Sequence, residues 1–154
     1  MASTTRIAVE AWESLMRAQA TLAREFEYTG DWGDLLPREY AVLHALSGAG
    51  DGLRVTELMD DALLTQAGVS RLVARMETRG LVERREDQAD ARACRIALTA
   101  EGREIYRSLG QAHARQVREA MTRALGPAAL ETLRELTDAL VAASPARVQR
   151  RKKK

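Results

Sequence analysis

Apolar residues recur every three or four positions from Ile7 to about Tyr28, where Ala8, Trp12, Leu15, Met16, Leu22, Ala23 and Phe26 stand among Glu and Arg. That 3.6-residue period predicts one long amphipathic helix. Thr29-Gly-Asp-Trp-Gly-Asp breaks it, and Pro37, with its preset φ and missing N–H, suits the first position of a second helix carrying Tyr40, Leu43, His44 and Leu46. Gly48, Gly50 and Gly52 end that helix. Leu53-Arg54-Val55 reads as a short extended piece, and Thr56 is expected to cap a third helix through Leu58, Met59 and Leu63. Leu64-Thr65 then turns into a fourth helix, with Val69, Leu72, Val73 and Met76 on one face and Gln66, Ser70, Arg71 and Arg75 on the other. Gly80 stops it in a left-handed conformation.

Beyond Gly80 the period falls to 2. Leu81–Glu86 and Cys94–Leu98 predict two strands around a polar loop, Asp87–Ala93, and so a hairpin. Thr99 caps another long helix bearing Ile105, Leu109, Ala112, Gln116, Ala120 and Met121. After Gly126-Pro127 a last helix carries Leu130, Leu133, Leu136, Leu140 and Val141. The order is α-α-β-α-α-β-β-α-α, a mainly α fold with a small β-wing.

At 154 residues, 45% hydrophobic and 30% charged, the chain has the size and balance of one globular domain. Its longest uncharged stretch, Tyr40–Gly50, is 11 residues, short of the ~20 that span a bilayer, and Met1–Glu10 has no apolar run of signal-peptide type. A cytoplasmic protein with no membrane partner is therefore expected. One cysteine, Cys94, and two histidines 69 positions apart predict neither an intrachain disulfide nor a metal site. Cys94, in phase with Ile96 and Leu98, is expected to be a small apolar filler rather than a redox sensor. No cofactor is expected, and the absence of Ser/His/Asp, Cys/His or Gly-rich phosphate patterns argues against an enzyme.

The formal charge of +2 is unevenly spread. Residues 1–64 carry 5 basic and 11 acidic side chains, whereas residues 147–154 carry 6 basic and none acidic, so the tail sets the overall basicity. In residues 65–95 all 7 cations are arginine, whose planar fork suits phosphate and guanine. Two short helices, a tight connection, an arginine-bearing helix and a basic hairpin form the layout of a winged helix-turn-helix. The leftover apolar helices at both ends predict a two-fold homodimer. The expected organisation is one domain over 1–146, with the winged part about 31–99, dimerisation helices about 7–28 and 100–143, and a basic disordered tail at 147–154.

Thr65-Gln-Ala-Gly-Val-Ser-Arg-Leu-Val-Ala-Arg-Met-Glu-Thr-Arg-Gly-Leu-Val-Glu-Arg-Arg-Glu-Asp, followed by Asp90-Ala-Arg and Ile96-Ala-Leu-Thr-Ala-Glu-Gly-Arg103, resembles the MarR family of transcriptional regulators. The resemblance implies a sequence-specific regulator, a repressor, that binds a near-palindromic double-stranded operator as a homodimer. A small aromatic or phenolic effector such as an aromatic acid would release it. It further implies that Thr65, Gln66, Ser70 and Arg71, at the start of the fourth helix, serve the major groove, and that Arg75 reaches phosphate or the wing. Arg92 matches the wing-tip arginine of the minor groove, and Asp90 the carboxylate that holds it. The wing acids Glu83, Glu86, Asp87 and Asp90 would have to pair with Arg84, Arg85 or Arg95 to avoid repelling phosphate. An architectural DNA binder with little sequence preference is the alternative.

For the effector, Trp12, Met16 and Arg17 on the first helix and Tyr40 and His44 on the second are the candidates, supplying aromatic walls, a cation and a titratable donor. Trp12, Met16 and Tyr40 also stand in core phase, and Arg17 stands four residues after Glu13, so packing and a surface ion pair compete with that role. Ala41 stands where urate-responsive relatives carry an acidic residue, which argues against urate.

Overall fold

A computed structural model describes residues 3–62 and 66–145. Helix α1 spans Thr4–Thr29 and α2 spans Pro37–Ser47, followed by β1 (Leu53–Arg54), α3 (Val55–Ala62) and α4 (Gln66–Thr78). Strands β2 (Val82–Asp87) and β3 (Asp90–Leu98) form the hairpin, and α5 (Ala100–Thr122) and α6 (Pro127–Ala142) complete the fold. Thr65 and the tail 147–154 lie outside the described residues.

Local chemistry explains most of these boundaries. The Ser3 hydroxyl accepts from the Arg6 amide at 3.3 Å, Pro37 opens α2, and the Thr99 hydroxyl accepts from the Gly102 amide at 3.0 Å. Gly80 has φ +71°, the left-handed stop that its position after α4 demands. Thr56 is not a cap. Helix α3 starts one residue earlier, and Glu57 reaches back to accept from the Arg54 amide at 2.7 Å, satisfying a donor that no preceding turn can serve.

The sheet has the order β1-β3-β2, all antiparallel, with Leu53 opposite Ile96 and Val82 opposite Leu98. The hairpin is longer than its hydrophobic pattern indicates. β3 begins at Asp90 rather than Cys94, leaving only Gln88 and Ala89 to turn. The register shifts between Glu86↔Cys94 and Asp87↔Asp90, so residues 91–93 face no partner on β2 and the irregularity interrupts the alternation of an unbroken ladder. The Asp87 carboxylate shapes the turn by accepting from the Ala89 amide at 2.9 Å.

Val42, Leu43 and Leu46 of α2, Leu58 of α3, Val69, Val73 and Met76 of α4, and Leu81, Val82, Ile96 and Leu98 around the sheet form the core. Helix α5 closes against it at Gly102, where a Cβ would stand 1.9 Å from the Leu81 carbonyl oxygen. Leu109, one of the apolar α5 positions, also packs on this core within the chain. By contrast, α1 and α6 bury no residue. Trp12 and Met16, in core phase by sequence, are 60% and 52% exposed, with Ile7, Leu136, Leu140 and Val141 similarly bare. Among the described residues these faces are left largely uncovered.

Candidate nucleic-acid interface and adjoining cavity

Helix α4 is two-faced. Val69, Val73 and Met76 are fully buried against α2, α3 and the sheet, which forces Ser70 and Arg71 outward, where both are exposed. Arg71 has no ion-pair partner among the described residues, so its guanidinium is available to an incoming anion. Gln66 opens the helix just ahead of them.

Arg75 donates through Nε to Oε1 of Glu39 at 2.9 Å, and Arg79 donates through Nη1 to Oε2 of the same carboxylate at 3.3 Å. Glu39 is only 1% exposed, and a carboxylate so enclosed must be compensated by cations and N–H groups. Arg79 also donates to the Asp34 carbonyl at 3.2 Å. Sequence reasoning overlooked Glu39 and Arg79, although the Glu at the third position of a Pro-led helix was a visible capping signal.

The wing neutralises two of its four acids: Arg85 pairs with Glu83 at 2.6 Å, and Asp87 receives both Arg95 at 3.1 Å and Arg54 at 2.7 Å. Arg84 turns instead to Glu77 of α4 at 3.1 Å, and Glu86 and Asp90 have no ion-pair partner among the described residues. Hydrogen bonds from Arg54 and from the Ala89 amide hold the Asp87 carboxyl down at about 2. Arg95 further donates to the Gly52 carbonyl at 2.7 Å, bracing the wing against the β1 turn. Arg92 is exposed near the tip. Asp90 Oδ1 accepts from the Arg92 backbone amide at 3.0 Å, an Asx turn that does not engage the guanidinium. Arg71 and Arg92 are therefore outward cations on the two elements that the layout assigns to DNA.

Behind this face lies a cavity of about 720 Å³ between α1, α2 and α5. Phe26, Trp32, Tyr40 and Tyr106 line it together with both histidines, His44 and His113. The rings interlock: His113 lies 5.1 Å from Trp32, 5.2 Å from Tyr40 and 5.4 Å from Phe26, while Tyr40 stacks on Tyr106 at 5.7 Å. His44 Nδ1 and the Tyr106 hydroxyl are 3.1 Å apart. Burial, and then the neighbouring Tyr106, push the Tyr40 phenol above its ordinary value.

Of the five effector candidates, Tyr40 and His44 line this cavity. Trp12, Met16 and Arg17 sit on the exposed N-terminal half of α1 and do not. The i,i+4 ion pair of α1 among the described residues is Arg6–Glu10, not Glu13–Arg17. Trp32, Tyr106 and His113 were missed, because they converge only once α5 crosses α2. Among the described residues no cluster of His, Cys, Asp and Glu suited to a metal ion occurs, and no helix is long and apolar enough to cross a membrane.

Comparison with known proteins places this geometry. The profile of the MarR family matches residues 34–93, from the approach to α2 into β3. Sco3205 of Streptomyces coelicolor, a MarR family transcriptional regulator whose structure is in complex with DNA, superposes with a TM-score of 0.75 at 27% identity, covering 96% of this chain and 93% of Sco3205. The chain resembles the MarR family over residues 34–93 and shares the fold of its members. AbsC, another MarR family regulator from Streptomyces coelicolor, gives a TM-score of 0.70 at 28% identity, with 91% of each chain covered. The transcriptional regulator HosA of Escherichia coli O157:H7 is 39% identical over 83 residues, 51% of this chain. That match spans about three-fifths of HosA's length, 61%. Within the MarR frame the fold is the winged helix-turn-helix that the order of elements predicted, with β2 and β3 as its wing.

Proposed function

We propose that this chain is a sequence-specific double-stranded DNA-binding transcriptional regulator of the MarR family, a repressor acting as a homodimer. The observation that carries this reading is the two-sided α4. Val69, Val73 and Met76 on its apolar face are fully buried, so Ser70 and Arg71 must face outward, at the width of helix that a major groove admits. Arg92 on the wing extends the cationic face toward the neighbouring groove. Sco3205, a MarR family member of the same fold, is itself in complex with DNA. The bare apolar residues of α1 and α6 supply a self-complementary surface for a second copy, which would set two α4 helices side by side along one duplex. In that assembly Trp12 and Met16 belong to the seam rather than to an effector site.

The aromatic cavity supports an effector reading as well. Its ring-lined walls and the polar tips of Tyr40, His44 and Tyr106 suit a small aromatic acid or phenol, and α2 connects it to the winged core. Selection of bound duplexes from random DNA tests the main reading. A near-palindromic site preferred ~10³-fold or more over random duplex is the expected result, whereas uniform affinity would leave an architectural DNA binder. A hydroxybenzoate series added to the selected complex then tests the effector: release of DNA with quenching of Trp32 fluorescence in a Trp12→Phe background is the expected result.

A further inference from the structure

Glu39 occupies an unusual position for a charged side chain. Standing at the third position of α2, it accepts four hydrogen bonds from three donors: the Leu36 amide at 2.8 Å, Arg75 Nε at 2.9 Å, and Arg79 Nη1 at 3.3 and 3.5 Å to its two oxygens. Arg75 lies on α4, the helix that presents Ser70 and Arg71, and Arg79 follows one turn later, just past its end. Left to themselves, two arginines so placed would fold down onto any phosphate backbone running beside the helix. The carboxylate instead turns them back toward α2. The next residue, Tyr40, walls the aromatic cavity, so the first turn of α2 carries both a cavity wall and the ionic clamp on α4.

We propose that Glu39 is a positioning residue for DNA recognition. By drawing Arg75 and Arg79 off the phosphates it fixes the register of α4 and leaves Ser70 and Arg71 to meet the bases. General phosphate affinity falls as a result, and preference for one site rises. The inference rests on the DNA-binding reading above.

Counterion release supplies a readout that fold stability alone does not move, because each phosphate contact adds about 0.9 to the slope of log affinity against log salt. The experiment titrates the full chain and Glu39→Gln on a selected duplex and on random duplex across a salt series. Glutamine keeps the size of the side chain and an acceptor for the Leu36 amide, but not the charge. The expected result on random DNA is a slope steeper by about one, with site preference reduced about tenfold. A folded variant whose slope is unchanged or shallower overturns the proposal, whatever its affinity. Arg79→Gln decides the matter if Glu39→Gln does not fold, since Arg75 still compensates the carboxylate. Its slope should equal that of the unmodified chain, and a slope shallower by about one would put Arg79 on phosphate already and overturn the proposal. Failure of the unmodified chain to bind any duplex would instead sink the DNA-binding reading and this inference with it.

Discussion

Arg54 Nε lies 2.7 Å from Oδ2 of Asp87, joining the residue ahead of α3 to the carboxylate at the wing turn 33 positions later. Asp87 is 3% exposed, and its folded-state value of about 2 lies below the ordinary 3.8. A depressed carboxylate contributes stability that is present above the unfolded value and is lost as pH falls through the folded one. The melting temperature of the unmodified chain should therefore exceed that of Asp87→Asn by a constant margin near neutrality, and the margin should shrink between about pH 4 and pH 2. A margin independent of pH would mean that the charge of Asp87 contributes nothing.

Leu109 and Leu136 should separate folding from association. Leu109 packs, partly buried, on the core of its own chain. Leu109→Ala should cost on the order of 2 kcal/mol in urea unfolding. Leu136 is 61% exposed, so Leu136→Glu should weaken self-association in sedimentation while leaving the helical signal intact. A dimer unaffected by Leu136→Glu would move the interface off α6.

Arg71→Ala should lose ~1–3 kcal/mol on the selected duplex and less on random DNA, because a guanidinium on a base edge contributes only where that base is present. Arg92→Ala should behave likewise, with its loss concentrated in sites having A·T-rich steps beneath the wing, whose narrow minor groove attracts a cation. Equal losses on both duplexes would assign either side chain to phosphate.

Glycines at two positions should respond in opposite ways. Gly52 has φ +84°, and a Cβ there would lie 2.4 Å from the Ile96 carbonyl oxygen, a backbone atom held in the β1–β3 ladder. Gly52→Ala should destabilise the fold by on the order of 3 kcal/mol. Gly48 caps α2 with φ −89° and open space around it, so Gly48→Ala should stabilise by ~0.4–1 kcal/mol. Urea denaturation of both variants measures the difference.

Local physics made the elements legible from sequence. Period 3.6 marked five helices and a two-faced α4, period 2 marked the hairpin, and Pro37, Thr99 and Gly80 announced their ends, because each signal acts within one or two turns of chain. The MarR resemblance likewise lay in a contiguous run of residues. What tertiary structure alone decided is which charges and rings meet. Arg75 meets Glu39, 36 positions away, because α2 and α4 come together where a buried carboxylate needs cations. Strand β3 outran its hydrophobic pattern because a register shift at Glu86/Asp87 takes it round to Asp90 without alternating buried positions. The cavity of Phe26, Trp32, Tyr40, Tyr106 and the two histidines exists only where α1, α2 and α5 converge, and no spacing within any one helix encodes that meeting.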